Sequence, residues 1–250
     1  NCFLHEGLAY FPQGRGNHRL HVVDVSGDEP VRIADWGPTD ENAAWEDVGV
    51  GFRNLHDVWV QAGRAYLAGW DAGTFVLDVS DPAEPALLGR VGGHPLDELP
   101  ELDGRERFVP PGNHHYVQPS PDGSLLAVGR ESWALGGGEG GPGGVELWDV
   151  STLADPERVA HVPAERARDE TYRTGTWTTA HNFELTGDRL YTSWYQGGVK
   201  LHDVSDPADP ELLAWWRDPA AAAFWTARPA AGDAFVASST AEAPPFEGVF

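Results

Sequence analysis

The segment FVLDVSDPAEPALLGRV, residues 75–91, recurs in four related copies along the chain. The other copies occupy residues 20–36, 145–162 and 199–216, and their shared acidic residue falls at Asp24, Asp78, Asp149 and Asp203. Each copy has an apolar strand ending in Asp-Val-Ser, a turn with proline, and a second apolar strand. Asp and Ser side chains bond nearby backbone N–H groups in turns, and proline interrupts helices. We therefore interpret the repeated acids as turn caps rather than calcium ligands.

A second pair of strands precedes each copy, and in three copies it begins with histidine. The three segments are HDVWVQAGRAYLAGW at 56–70, HYVQPSPDGSLLAVGR at 115–130 and HNFELTGDRLYTSW at 181–194. Each predicts a strand, a tight turn with glycine, and a strand. One unit is then four short antiparallel strands, a to d. Because such a unit cannot bury both of its faces alone, the copies must stack, and radial stacking predicts an all-β fold, a β-propeller of four-stranded antiparallel blades.

The repeat predicts one β-propeller region over residues 1–250. Its blades are predicted at approximately 1–36, 52–91, 113–162 and 180–216, with a partial blade at 224–250. These amount to about four and a half blades of a larger propeller. The sequence has no methionine, even at position 1, so we expect the chain to be part of a longer protein.

The charge and the hydrophobic pattern of the chain limit the kinds of partner that it can bind. The chain has 39 Asp and Glu against 17 Lys and Arg, for a net charge of -22. Such a charge repels phosphate, so the sequence predicts no nucleic-acid binding, and no apolar run predicts a membrane span. An acidic surface with a single lysine fits a halophilic protein, because concentrated salt screens self-repulsion. A GC-rich genome is the alternative explanation.

The repeated histidines indicate a site at the centre of the propeller. Long inserts at 37–54, 92–113, 134–144 and 164–179 all fall on one face, and loops of variable length on a fixed scaffold usually carry function. His56, His115 and His181 begin the innermost strand on that face, where radial symmetry brings equivalent positions together. Converging imidazoles suit a transition metal such as copper, zinc or iron. A structural role, in which each histidine ties one blade to the next, is the alternative.

Four further residues are candidates for ligand binding beside these histidines. Trp70, Trp194 and, in the matching blade, Arg130 end strand b near the same face. The tryptophans predict either packing between blades or a wall for an apolar ligand. Arg130 and Glu131 interrupt the pattern and are predicted to line the mouth of the site.

The segments LDVSDPAEPALLGRV at 77–91 and LHDVSDPADPELLAWW at 201–216 resemble LVIVD repeats. The resemblance extends over nearly the whole chain and implies a propeller of about seven blades in a larger surface or secreted protein, extracellular or at the cell surface. The histidine-initiated strands are also similar to those of selenium-binding protein and methanethiol oxidase propellers. That likeness implies that His56, His115 and His181 are metal ligands.

Two functions fit these patterns, and the sequence does not decide whether the protein is an enzyme. One is a metal-binding propeller with oxidoreductase-like chemistry on a small molecule. The other is a non-catalytic module that binds a surface protein or glycan through its long acidic loops.

Overall fold

The computed structural model describes residues 1–13, 18–41, 55–95, 97–99, 112–131, 143–163, 179–217, 223–231 and 234–240. In these ranges four antiparallel sheets contain four strands each, and a fifth sheet contains two. The strands of the first two blades are β1 (Phe3–His5), β2 (Leu8–Pro12), β3 (Leu20–Asp24) and β4 (Val31–Trp36), then β5 (Asp57–Gln61), β6 (Arg64–Ala68), β7 (Thr74–Asp78) and β8 (Ala86–Val91). A short helix, α1 (Pro38–Glu41), follows β4.

The remaining strands repeat the same meander. They are β9 (His114–Pro119), β10 (Leu125–Arg130), β11 (Gly144–Asp149) and β12 (Glu157–Pro163), then β13 (Phe183–Thr186), β14 (Arg189–Ser193), β15 (Val199–Asp203) and β16 (Glu211–Trp216), and finally β17 (Ala223–Pro229) and β18 (Phe235–Thr240). The predicted all-β class with four-stranded antiparallel blades is confirmed. None of the helices in the described ranges is both long and apolar enough to cross a membrane.

The repeated Asp-Val-Ser segments form the same turn in every blade. The Asp78 carboxylate accepts bonds from the backbone N–H of Ser80 at 2.9 Å and from its hydroxyl at 2.6 Å. The same backbone bond recurs in the other three copies. The Ser80 bonds hold the pKa of Asp78 below its ordinary value. These acids are therefore turn caps, as the sequence predicted.

The first strand of each blade lines the centre of the propeller, hereafter the hub. Strand β9 contacts β5 of the preceding blade and β13 of the following one, and β13 contacts β17. The fourth strands, by contrast, consist mostly of exposed and half-buried residues. Four clusters of buried apolar side chains fill the four seams between successive blades. Burial in these seams explains why the sheets stack, since each face of an inner blade packs on a neighbour.

Glutamine side chains also join the blades along the hub. The amide nitrogen of Gln118 in β9 donates to the Leu185 carbonyl at 2.9 Å, and its amide oxygen accepts from the Leu185 N–H at 2.8 Å. Gln61 in β5 makes a related bond to the Ser120 carbonyl at 2.7 Å. These bonds satisfy backbone groups of the innermost strands that have no strand partner on the hub side.

The two ends of the propeller carry different connections between strands, because each blade is an antiparallel meander. Turns between the first and second strands lie beside turns between the third and fourth, because Val79 N–H donates to the Gly63 carbonyl at 2.8 Å and the bond recurs in each blade. The long inserts at 37–54, 92–113, 134–144 and 164–179 were predicted at the opposite end. Most of their residues lie outside the described ranges, as does the predicted strand at 248–250.

Candidate functional site

The three repeated histidines meet at the hub. His56 immediately precedes β5, His115 lies in β9, and His181 lies two residues before β13. The ring centroids of His56 and His115 are 4.1 Å apart, and those of His115 and His181 are 4.5 Å apart. His115 and His181 are buried and His56 is half-buried. The equivalent positions of three successive blades thus converge, because their innermost strands adjoin.

Two of these rings are also bonded to the next blade. His56 Nδ1 lies 3.1 Å from the His115 carbonyl, and His181 Nδ1 lies 2.7 Å from the Trp225 carbonyl. Because a carbonyl oxygen only accepts, Nδ1 carries the proton in both rings, and in the neutral ring Nε2 keeps its lone pair. Metal-binding histidines are commonly oriented in this way, by a second-nitrogen bond to a carbonyl. The structural and the metal-ligand interpretations of these histidines are therefore compatible.

Glu131 joins the imidazoles and completes a group of three donors. His115 Nε2 lies 3.4 Å from Glu131 Oε2. One ligand atom from each of His115, Glu131 and His181 lies within 4.8 Å of the other two. Donors placed ~2.0–2.1 Å from a shared zinc ion would be ~3.4 Å apart, which is the distance already found between His115 and Glu131. The buried Nδ1 of His115 makes no hydrogen bond to a described residue.

Burial determines the charge state of this cluster. It lowers the pKa of His181 to about 4. Burial, followed by the neighbouring His56 and His181, lowers the pKa of His115 well below its ordinary value. Burial also raises the pKa of Glu131 to about 7, although the bond from Tyr195 opposes it. The imidazoles are consequently neutral near pH 7, which is the form that binds metal ions.

Aromatic side chains enclose the imidazoles on two sides. The Trp70 ring is 5.4 Å from that of His56 and 6.0 Å from that of His115. At the other side, the ring of Trp225 is 3.9 Å and that of Tyr195 is 5.0 Å from His181. The Tyr195 hydroxyl donates to Glu131 Oε1. Trp70, which the sequence predicted either to pack between blades or to form a wall for an apolar ligand, thus lies beside two of the imidazoles, whereas Tyr195 was not predicted.

The blade register places Trp194 and Arg130 elsewhere. Trp194 belongs to the buried seam between the third and fourth blades, and its indole N–H donates to Thr192 Oγ1 at 2.6 Å. Arg130 forms a buried ion pair with Glu146, at 3.1 Å. Trp194 thus packs in a seam between blades, which was the alternative interpretation for the tryptophans, whereas Arg130 pairs with the neighbouring strand of its own blade. Among the described contacts, neither residue meets the three imidazoles.

The residue equivalent to Trp70 in the fourth blade is Tyr195. Both have positive φ, 52° and 46°, and both pair with the residue just before the hub position of the next blade, His114 and Phe224 respectively. Each also lies 14 residues after its own histidine. That spacing is the sequence signal that could have identified Tyr195.

The second blade matches a known repeat model. The match is to the LVIVD repeat and covers residues 53–92. Residues 53–92 are an LVIVD repeat. This LVIVD repeat contains His56, Trp70 and the Asp78 turn, so the predicted resemblance is confirmed there. No match was found among curated proteins.

Two solved structures resemble the chain at low identity. A protein proposed to be a 6-phosphogluconolactonase, from Bacteroides uniformis, is 12% identical with a TM-score of 0.56, over 94% of this chain and 62% of its own. The computationally designed protein Ika8 is 9% identical with a TM-score of 0.51, over 95% of this chain and 54% of its own. These likenesses show the fold alone. The chain spans less than two thirds of either protein.

A hypothetical selenium-binding protein from Sulfolobus tokodaii is also similar. It is 14% identical with a TM-score of 0.44, over 93% of this chain and 67% of its own. A TM-score of this size adds nothing to the fold assignment.

Proposed function

We propose that the hub cluster binds a transition metal ion through His115, His181 and Glu131 and presents it to a small molecule. The observation that carries this proposal is the convergence of three donor atoms within 4.8 Å of one another at a buried position. His56 lies against His115 and supplies a further imidazole at the edge of the cluster. The donor set thus replaces one of the three predicted histidines with Glu131.

The chemistry of the donors supports a metal with open coordination positions. Two imidazoles and one carboxylate are the protein ligands of several catalytic zinc sites and of non-haem iron(II) oxygenases. Copper also accepts imidazole ligands. His181 is oriented by the bond from its Nδ1 to the Trp225 carbonyl, at 2.7 Å, which leaves Nε2 for the ion. When bound, the ion would supply Lewis-acid or redox chemistry.

The surroundings favour a small ligand over a polymer at this position. The donors are almost completely buried: His115 is 2% exposed, Glu131 2% and His181 3%. Trp70 presents an aromatic ring beside two of the imidazoles. An apolar group of a small substrate could pack on that indole while a polar group reaches the ion.

Metal content of the purified chain tests the proposal. After loading with zinc, copper or iron(II) and gel filtration, elemental analysis should find about one ion per chain, held by three protein ligands. His181→Ala and Glu131→Gln should each lose that ion. His21→Ala is the matched control, because it removes a histidine that bonds Asp35 and Gln13 on the first blade. No bound ion in the wild-type chain, or equal loss in the control, would reject the site.

The second predicted function is a non-catalytic module that binds a surface protein or glycan. It relied on the long acidic loops, whose residues lie mostly outside the described ranges. It therefore stays a prediction, together with the extracellular or cell-surface location and the halophilic origin.

A further inference from the structure

Glu131 occupies the position in the third blade that Trp70 and Tyr195 occupy in the second and the fourth. In each of these blades the residue after the hub histidine pairs with a residue of the second strand, and the shared position lies two residues further along the chain. Those paired residues are Ala68, Gly129 and Ser193. A ring of equivalent positions therefore carries an indole, a carboxylate and a phenol.

The members of this ring lie beside the hub histidines. In the fourth blade the Tyr195 ring is 5.0 Å from that of His181. In the third blade Glu131 Oε2 is 3.4 Å from His115 Nε2. Since Glu131 is the member with a carboxylate, the orientation of its side chain determines which oxygen faces the imidazoles.

The main chain of Glu131 is held within its own blade. The side-chain nitrogen of Asn113 donates to the Glu131 carbonyl at 2.7 Å, and the Glu131 N–H donates to the Asn113 carbonyl at 3.1 Å. Asn113 is 1% exposed and has a φ of 64°, a conformation in which asparagine is enriched. These bonds fix the backbone of Glu131, but they leave its carboxylate free to rotate.

Tyr195 restrains that rotation from the next blade. Its hydroxyl donates to Glu131 Oε1, and both side chains are 2% exposed. The main chain of Tyr195 is itself held, because its N–H donates to the Phe224 carbonyl at 3.1 Å and its carbonyl accepts from the Phe224 N–H at 3.0 Å. A hydrogen bond to an ionised carboxylate is stronger than one between neutral groups. Oε1 is therefore engaged by the phenol, and Oε2 is left on the side of the imidazoles.

We propose that Tyr195 is the positioning residue of the hub site, and this inference rests on the proposed metal site. Its hydroxyl engages Oε1 of Glu131, so the carboxylate offers one oxygen, Oε2, to an ion shared with His115 and His181. A carboxylate that binds through one oxygen takes one coordination position, whereas an unrestrained carboxylate can chelate and take two. Tyr195 thus keeps a position on the ion open for a small molecule.

Cobalt(II), a spectroscopic substitute for zinc, tests this role. Tyr195→Phe removes only the hydroxyl and should weaken cobalt binding by about 10–100-fold, the usual effect of losing the hydrogen-bond partner of a metal ligand. At saturating cobalt its visible absorption should also lose intensity, because a chelating carboxylate raises the coordination number. A purely structural role would not change the coordination number.

Tyr191→Phe is the matched control for the cobalt measurements. It removes the same hydroxyl group from the same strand, β14, at a ring that packs on Phe235. Its cobalt affinity and absorption should equal those of the wild-type chain. Wild-type affinity and absorption in Tyr195→Phe would overturn the proposed role of Tyr195 and leave the metal site standing.

The bond between Tyr195 and Glu131 also has a readout that needs no metal. The infrared bands of the Glu131 carboxylate are isolated by subtracting the spectrum of Glu131→Gln at about pH 9, above the Glu131 pKa of about 7. The separation of the two carboxylate stretching bands should change when the same subtraction is made in the Tyr195→Phe background, but not in the Tyr191→Phe background. An unchanged separation in Tyr195→Phe would overturn the proposal. A changed separation in a chain that binds no cobalt would reject the metal site while confirming that Tyr195 positions Glu131.

Discussion

Replacing Glu131 with glutamine should change how the stability of the chain depends on pH. Burial raises the pKa of Glu131 from 4.5 to about 7 in the folded chain. Between these values the folded chain holds a proton that the unfolded chain has released, so the carboxyl stabilises the fold below about pH 4.5 and this contribution is lost as pH rises through about 7. The difference between a pKa of 4.5 and one of about 7, at about 1.4 kcal/mol per pKa unit, corresponds to a total loss of about 3.5 kcal/mol, of which about 3 kcal/mol falls between pH 4.5 and pH 8.

Urea unfolding at a series of pH values measures this effect. The free energy of unfolding of the wild-type chain, minus that of Glu131→Gln, should fall by about 3 kcal/mol between pH 4.5 and pH 8. The amide in the Glu131→Gln variant carries no titratable proton but keeps an oxygen to accept from Tyr195. Burial lowers the pKa of His181 to about 4, with the opposite dependence, but this residue is present in both chains and its effect largely cancels.

A carboxyl in solvent provides the control for this difference. Glu29 is exposed in the turn between β3 and β4, and Glu29→Gln is the matched substitution with which the Glu131→Gln difference is compared. The Glu131→Gln difference should not be constant over this pH range. If it is constant, the description of a buried, destabilised carboxylate at the hub would be wrong.

Four further substitutions test the scaffold. Gly73 and Gly187 both have positive φ, +84° and +56°. A Cβ at Gly73 would lie 2.4 Å from a backbone oxygen, whereas a Cβ at Gly187 would meet nothing within 4 Å. In thermal unfolding, Gly187→Ala should therefore lower the stability by about 1–2 kcal/mol, and Gly73→Ala should lower it clearly more. Gln118→Ala leaves the N–H and carbonyl of Leu185 without their side-chain partner and should lower the urea midpoint by the equivalent of about 2 kcal/mol or more. Glu146→Ala removes a carboxylate that pairs with two arginines at 1% exposure and should cost about 3–5 kcal/mol in the same assay; a loss below about 1 kcal/mol would mean that this ion-pair network is solvated.

Much of the fold and part of the hub could be predicted from the repeat. The Asp-Val-Ser turn is a local structure, stabilised by bonds between residues two apart such as Asp78 and Ser80, so four copies indicate four equivalent blades. Equivalence then carries His56, His115 and His181 to the centre without any knowledge of their contacts. The convergence of the rings follows from symmetry, which a sequence repeat encodes.

Predicting the other site residues depended on the register of the strands, that is, on which face of a strand each side chain occupies. Side chains alternate between the two faces of a strand, so a shift of one residue moves a side chain to the opposite face. Comparing Trp70 with Trp194 rather than Tyr195 made that shift, and Trp194 lies in a seam while Tyr195 contacts His181. The adjacent side chains of Arg130 and Glu131 likewise have different neighbours: Arg130 pairs with Glu146, and Glu131 lies beside His115.

By itself the sequence determined the blade, its turns and the positions that recur, because these depend on bonds and patterns within one repeat. Only the tertiary structure decided which neighbours of those positions share the hub. Glu131, Tyr195 and Trp225 come from three different blades, and their contacts with His115 and His181 exist only where the innermost strands adjoin. Contacts of this kind depend on how separate sheets pack together, and the residue pattern within a single repeat does not predict that packing.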